Sequence, residues 1–274
     1  MDIYIYNRMI EVLQKAYPEL YRKYKNFMVV SLTKEQKKSS QYRFHLKRIE
    51  LCTLSRTAGD IFISALLELA RHIDVINRRE THDDYELMTI FRTLLIAAVR
   101  LNLIQVNDLK RFTNVKIRDK VQHFFHKFEY WKFEKEEPVK AAYAYIYVFE
   151  AFMIKNLLKT NGYHYDAAQN CWIKKLLSSD LKKEKKFVDA HEMEAEWKII
   201  ADNSFYIRPV YKIKLKTYSI EDSKLLRALE YQYDPHTRFW HKLIIAADVE
   251  QELKNLVEIP KQSLNITSPA TKRT

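Results

Sequence analysis

The sequence predicts a mainly α protein: a helical bundle followed by a small α+β region with two helix-hairpin repeats. Three observations carry that expectation. Apolar residues recur at helical spacing through the first 158 positions, the chain turns to short, aromatic, alternating segments beyond Leu158, and one 18-residue pattern occurs twice in the second half. The expected divisions are a bundle over 1–158, two aromatic-basic modules over 159–258 and a disordered tail over 259–274, whose Pro, Ser, Thr and Lys content offers little to bury.

Taken in order, Met9, Ile10, Leu13 and Leu20 mark a first helix. A basic, serine-containing connection around Lys34 to Ser40 follows. Helices are then expected over Gln41 to Arg56 and over Ile61 to Ile76, the second with Ile63, Leu66, Leu67, Ala70 and Ile73 as its stripe. Thr81-His82-Asp83-Asp84 offers an N-cap to a helix through Met88, Phe91, Leu95 and Val99, and a shorter helix starts near Asn107. The stretch KIRDKVQHFFHKF, Lys116 to Phe128, reads as another. Pro138 then precedes VKAAYAYIYVFEAFMIKNLL, a run apolar on nearly all sides and so expected to be a central helix. Lys182 to Lys186 reads as a charge-rich connector.

Composition narrows function. With only Gly59 and Gly162 in 274 residues, the chain lacks the glycines of a P-loop, a GxGxxG dinucleotide site or a GxSxG nucleophile elbow. The formal charge of +12 favours polyanionic partners, nucleic acid foremost. Cys52 and Cys171 are too isolated for a disulfide framework and fit a reducing cytosol. Charged residues in the first turns argue against a secretion signal, and Arg92 and Arg100 interrupt the greasiest run, so no membrane association is expected.

The repeat aligns LLKTNGYHYDAAQNCWIK, Leu157 to Lys174, without gaps on LLRALEYQYDPHTRFWHK, Leu225 to Lys242; seven of eighteen positions are identical, and Lys159 faces Arg227 as a basic match. The leucines close a helix, Tyr-x-Tyr puts both rings on one face of a strand, and the aspartate starts a turn into a return strand carrying Trp and Lys. In the second copy FYIRPVYKIKL supplies a leading strand; in the first the long helix precedes. The pattern resembles the HARP domain of annealing helicases, which implies binding to single-stranded or junction-like nucleic acid. The candidate binding residues are Trp172, Trp240, Tyr165 and Tyr233 for stacking and Lys174, Arg227, Arg238 and Lys242 for phosphate. Equally, Tyr163, Tyr165, Trp172, Tyr231, Tyr233 and Trp240 serve simply to pack each hairpin against its helix. His164 and Cys171 face Gln232 and Phe239 in the other copy, so no metal site is expected there.

In KIRDKVQHFFHKF, Arg118, Asp119 and His123 follow a short helix and precede a long apolar segment. That order resembles the HEPN domain, from about residue 40 to 158, whose R[ND]xxxH motif belongs to metal-independent RNases acting as dimers. The resemblance implies His123 as acid-base group, Arg118 as charge stabiliser, Asp119 as the group orienting the imidazole, and a homodimer. The other reading makes Ile117, Val121, Phe124, Phe125 and Phe128 a buried stripe with Arg118, Asp119 and His123 as surface partners. His123, His126 and Glu129 share a face, yet supply no full ligand set. The expected function is therefore nucleic-acid binding, RNA or single-stranded DNA, by a cytoplasmic protein with no cofactor, either as a metal-independent endoribonuclease or as a non-catalytic scaffold subunit of a nucleoprotein assembly.

Overall fold

The computed structural model describes residues 3–31, 40–52, 56–133, 143–166, 169–191, 194–201, 204–217, 219–257, 259 and 264–267. Pro138 and nearly all of the Lys34 to Ser40 connection lie outside them.

The first unit contains α1 (Ile3–Ala16), α2 (Tyr21–Tyr24), β1 (Met28–Ser31), β2 (Gln41–Arg43), β3 (Arg48–Leu51), α3 (Ala58–Arg78), α4 (Tyr85–Arg100), α5 (Val106–Lys110) and α6 (Val115–Phe125). α3 is the central helix. Thr57 caps its start by accepting from the Asp60 amide at 3.2 Å, and Arg79 ends it in the left-handed region at φ 65°. Ile61, Ile63, Leu66, Ala70 and Ile73 are buried between α4 on one side and the β1-β3-β2 sheet on the other, where Val29, Ile49 and Leu51 meet them. Asp84 caps α4 as the sequence implies, accepting from the Leu87 amide at 3.0 Å. Arg78 grips both Asp74 and Asp84 at 2.7 Å and so ties the end of α3 to the start of α4.

Two of the expected helices are strands. In place of the helix expected over Gln41 to Arg56, Gln41–Arg43 is β2 and Arg48–Leu51 is β3, with Lys47 turning the chain at φ 45°; residues 53–55 of that expectation lie outside the described residues. The supposed central helix after Pro138 is β4 (Tyr143–Phe149). Its Ala144, Ile146 and Val148 enter one core and its Tyr145, Tyr147 and Phe149 another. A strand buried on both faces is apolar all round, as a buried helix is, and its aromatic and β-branched residues are what favour the strand. The protein is consequently an α+β fold with three sheets rather than a mainly α helical bundle.

The remainder is two copies of one unit. The first runs β4, α7 (Lys155–Thr160), β5 (His164–Asp166), β6 (Cys171–Leu177), α8 (Leu181–Asp189) and β7 (Glu196–Ile200). The second runs β8 (Val210–Leu215), α9 (Ile220–Ala228), β9 (Gln232–Asp234), β10 (Phe239–Ile245), α10 (Val249–Asn255) and β11 (Asn265–Thr267). Both sheets are antiparallel and identically ordered, β5-β6-β4-β7 and β9-β10-β8-β11. The sequence repeat thus extends on both sides. Its first copy also has a leading strand, the Lys182 to Lys186 connector lies within α8, and Asn265–Thr267, expected in a disordered tail, pairs with Lys212 to Lys214 of β8.

Each sheet packs one face on its own two helices. In the first repeat Ala144, Ile146 and Val148 meet Leu158, Leu176 and Val188; in the second Tyr211, Ile213 and Leu215 meet Leu226, Trp240 and Leu256. The other face of the first sheet is covered by α1: Tyr4 meets Tyr145 edge-on at 5.8 Å, and the buried Arg8 guanidinium lies 4.5 Å from the Tyr145 ring centroid. Between the repeats, Phe205 stacks on Phe62 at 4.5 Å and on Tyr4 at 5.5 Å, and its amide donates to the Leu103 carbonyl at 3.1 Å. No helix among the described residues is long and apolar enough to cross a membrane.

Candidate nucleic-acid grooves

The hairpin turn that places the candidate aromatics is built by the repeated aspartate. Asp166 accepts from the Gln169 amide at 3.3 Å and Asp234 from the Thr237 amide at 3.4 Å, each 68 residues apart in sequence. Thr237 also donates its hydroxyl to Asp234 at 2.7 Å, and this bond holds the Asp234 carboxyl below its usual range. The next residue sits in the left-handed region in both copies, Asn170 at φ 50° and Arg238 at φ 56°. Asparagine tolerates that conformation well; an arginine there shows how strongly the turn is imposed.

The turn sets each tyrosine against the tryptophan of the return strand, with the ring planes tilted by 58° in the first copy and 49° in the second. Ring centroids lie 5.4 Å apart for Tyr165 and Trp172, and 5.2 Å apart for Tyr233 and Trp240. The tyrosines are about half exposed, at 51% and 49%, whereas Trp240 is buried at 4% and Trp172 is intermediate. The outward aromatic faces therefore belong to tyrosine, and the tryptophans support them. Beside the first pair, α7 contributes Lys155, Asn156 and Lys159 and the preceding loop contributes Phe152, enclosing an open groove of about 600 Å³ with Tyr165 and Trp172. The Lys155 ammonium lies 4.2 Å from the Phe152 ring centroid. In the second repeat Lys224, Arg227 and Ile220 hold the positions of Asn156, Lys159 and Phe152, all exposed, and the Arg227 guanidinium is 5.7 Å from the Trp240 ring.

Lys174 and Lys242 have a different place. They lie on the helix-facing side of their sheets, Lys174 bonded to Glu184 at 2.7 Å and Lys242 to Glu252 at 3.2 Å. Tyr163 donates to Glu184 at 2.8 Å with the Lys174 ammonium over its ring at 5.2 Å, and Lys242 lies 5.6 Å from the Tyr231 ring. Burial first and the neighbouring glutamate second push both phenols up. These lysines join the hairpin to the second helix of each repeat and are not presented in the groove. Continuing the 68-residue offset past the tryptophans would have exposed the device, since Asp180, Glu184 and Lys186 recur as Asp248, Glu252 and Lys254. Lys155 and Asn156 precede the repeated Leu157 to Lys174 stretch, and their counterparts Ser223 and Lys224 do not match them in charge; Lys159 and Arg227 carry the signal in the sequence.

Arg118, Asp119 and His123 are not gathered into a cleft. Arg118 donates to the Lys110 carbonyl at 3.2 Å and the Phe112 carbonyl at 3.5 Å, closing the end of α5, and its Nε lies 3.4 Å from Asp119. Asp119 and His123 are exposed, and among the described residues no hydrogen bond joins them. His123 instead meets Phe124 edge-on at 5.5 Å. The buried stripe consists of Ile117, Val121 and Phe128, with Phe124 and Phe125 half-buried against Tyr85. Among the described residues no three His, Cys, Asp or Glu side chains gather in a metal-binding arrangement.

The chain matches no protein-family model, no curated protein and no solved structure. The HEPN-like and HARP-like resemblances thus rest on their motifs alone, and the long apolar helix expected after the Arg-His motif is β4.

Proposed function

We propose that the chain is a nucleic-acid-binding protein in which two tandem repeats each offer an aromatic-basic groove to a single strand. The observation that carries this reading is the recurrence, on one register, of an exposed tyrosine set against a tryptophan with a matched cation on the preceding helix: Tyr165 with Lys159 and Tyr233 with Arg227, to which Lys155 in the first repeat and Lys224 in the second add a cation off that register. Tyrosine rings offer stacking faces to any base, and the cations on the neighbouring helix offer contacts to phosphate. The net charge of +12 adds a field that draws a polyanion in. The non-catalytic form of the reading is favoured, because Arg118 is engaged with two main-chain carbonyls.

Fluorescence anisotropy with labelled oligothymidylate and oligouridylate tests it. Tyr165→Ala combined with Tyr233→Ala should weaken binding by about tenfold or more, given about 1–3 kcal/mol per stacked base. Lys159→Gln with Arg227→Gln should also flatten the salt dependence by about 1.4 in log–log slope, at about 0.7 per phosphate on a single strand. Wild-type affinity in both double variants would refute the grooves.

A further inference from the structure

The two repeats share a fold and register but treat the sheet face away from their helices in opposite ways. In the first repeat that face carries Tyr145 and Tyr147 on β4 with Cys171 and Ile173 on β6, and α1 covers it. The paired positions of the second repeat follow from the ladders: Ile146 opposes Lys174 as Ile213 opposes Lys242. Lys212 and Lys214 consequently stand where Tyr145 and Tyr147 stand, Phe239 and His241 where Cys171 and Ile173 stand. Phe239 and Leu243 belong to no apolar core cluster of the described residues; Leu243 is 45% exposed, and Lys212, Lys214, Phe239 and His241 are half-buried.

From this inversion we propose that the face of the β8–β10 sheet opposite its helices is a second binding surface for single-stranded nucleic acid, with rings on β10 and cations on β8. The proposal rests on the nucleic-acid reading above and adds a site separate from the grooves. Phe239 and His241 alternate on β10 and so point to the same side, spaced for successive bases on a pleated surface. Lys214 pairs directly with His241 and Lys212 with Leu243, which flanks the rings with a row of ammonium groups. Lys216 reaches to 6.0 Å from the Phe239 ring centroid. On the far side of β8, Asn265 and Thr267 of β11 add hydrogen-bonding side chains opposite Lys214 and Lys212. The His241 imidazole is held down first by burial and then by the Lys212 and Lys214 charges, against the pull of Asp234, so it meets a strand at neutral pH as an uncharged ring. A sheet face with rings on one inner strand and cations on the other suits a splayed single strand better than a duplex, whose bases are stacked away from such a surface.

The test uses the full chain, labelled oligothymidylate and oligouridylate, and the two groove variants in parallel. Lys212→Gln with Lys214→Gln should weaken binding about tenfold and lower the log–log salt slope by about 1.4. Phe239→Ala should weaken it about tenfold with the slope unchanged. Ultraviolet crosslinking of the wild type, which requires no variant to fold, should attach the strand to the β10 peptide. If wild type binds, the groove variants weaken binding, and the sheet-face variants match wild type with no β10 crosslink, the sheet-face proposal is overturned while the grooves stand. Weakening by the sheet-face variants alone removes the grooves and keeps the sheet. A wild type that binds neither oligonucleotide removes both. Displacement of the strand by oligoglutamate of equal charge would reduce the surface to a general anion site and overturn the stacking. A self-association abolished by the lysine variants would assign the face to a second copy of the chain and overturn the proposal as well.

Discussion

Lowering the pH below neutrality should destabilise the first unit through one buried histidine. His72 on α3 is fully buried, between Phe27 and Tyr42. Its Nε2 lies 2.9 Å from the Tyr24 carbonyl, which can only accept, so Nε2 carries the proton and Nδ1 accepts from the Tyr42 hydroxyl at 2.7 Å. Burial, opposed by the Tyr24 carbonyl and reinforced by Lys47, pushes the imidazole down to about 4. The unfolded chain takes up a proton near pH 6.5 while the folded chain refuses it until about pH 4. The neutral-histidine contribution is accordingly complete above pH 6.5 and lost as pH falls from there towards 4. Linkage gives a loss of about 2 kcal/mol at pH 5 and about 3 kcal/mol at pH 4, to within a factor of two. Urea unfolding at pH 7.5, 6 and 5, followed for wild type and His72→Gln, isolates the effect, because glutamine keeps a donor and an acceptor but does not titrate. The variant should start less stable and lose about 2 kcal/mol less than wild type on going to pH 5. Equal losses in the two proteins would refute the assignment.

Gly59→Ala should destabilise by about 1–3 kcal/mol in urea titration, because an added Cβ would lie 2.6 Å from Asp108 Cγ and displace a carboxylate that caps α5. Lys174→Ala and Lys242→Ala should each cost about 1–3 kcal/mol by leaving the partly buried Glu184 or the buried Glu252 carboxylate without its cation, with strand affinity of the folded protein unchanged in anisotropy. Arg118→Ala should lower stability by about 1 kcal/mol through the lost carbonyl bonds, and neither it nor His123→Ala should alter the integrity of RNA incubated with matched preparations. Arg78 holds the Asp84 carboxyl down at about 2, so that contact contributes above pH 4 and fades as pH falls towards 2; Arg78→Gln should narrow the acid range, by about 1 kcal/mol after solvent screening, in acid titrations read by circular dichroism.

Features written by neighbours along the chain were legible before the structure. The α3 stripe, the Asp84 cap and the YxYD turn all rest on contacts a few residues apart. Features decided by distant partners were not. The segment around Ile146 reads as a helix until β6 and β7 are known to flank it, and the region around Ile49 until β1 pairs with it in parallel. The same divide runs through the candidate sites. Tyr165 and Tyr233 are placed by their own turns, whereas Lys174 and Lys242 read as phosphate contacts in the sequence because the glutamates that hold them lie ten residues on, in the following helix. For Arg118 the deciding groups are two carbonyl oxygens, which no side-chain pattern records.

Under the nucleic-acid reading proposed above, the placement of Phe205 bears on avidity. A ring clasped between Phe62 and Tyr4 anchors the stretch joining the two repeats to the first unit, so that the chain does not behave as a loose tether. Two weak sites on a loose tether gain from each other over a broad range of ligand lengths; two sites in fixed relation gain nothing until the ligand spans the gap, and then gain about 10²–10⁴-fold without further ordering cost. Affinity for a strand would then rise as a step in its length, at a threshold that the anchored ring sets, and Phe205→Ala would blur that step while leaving each groove as it is.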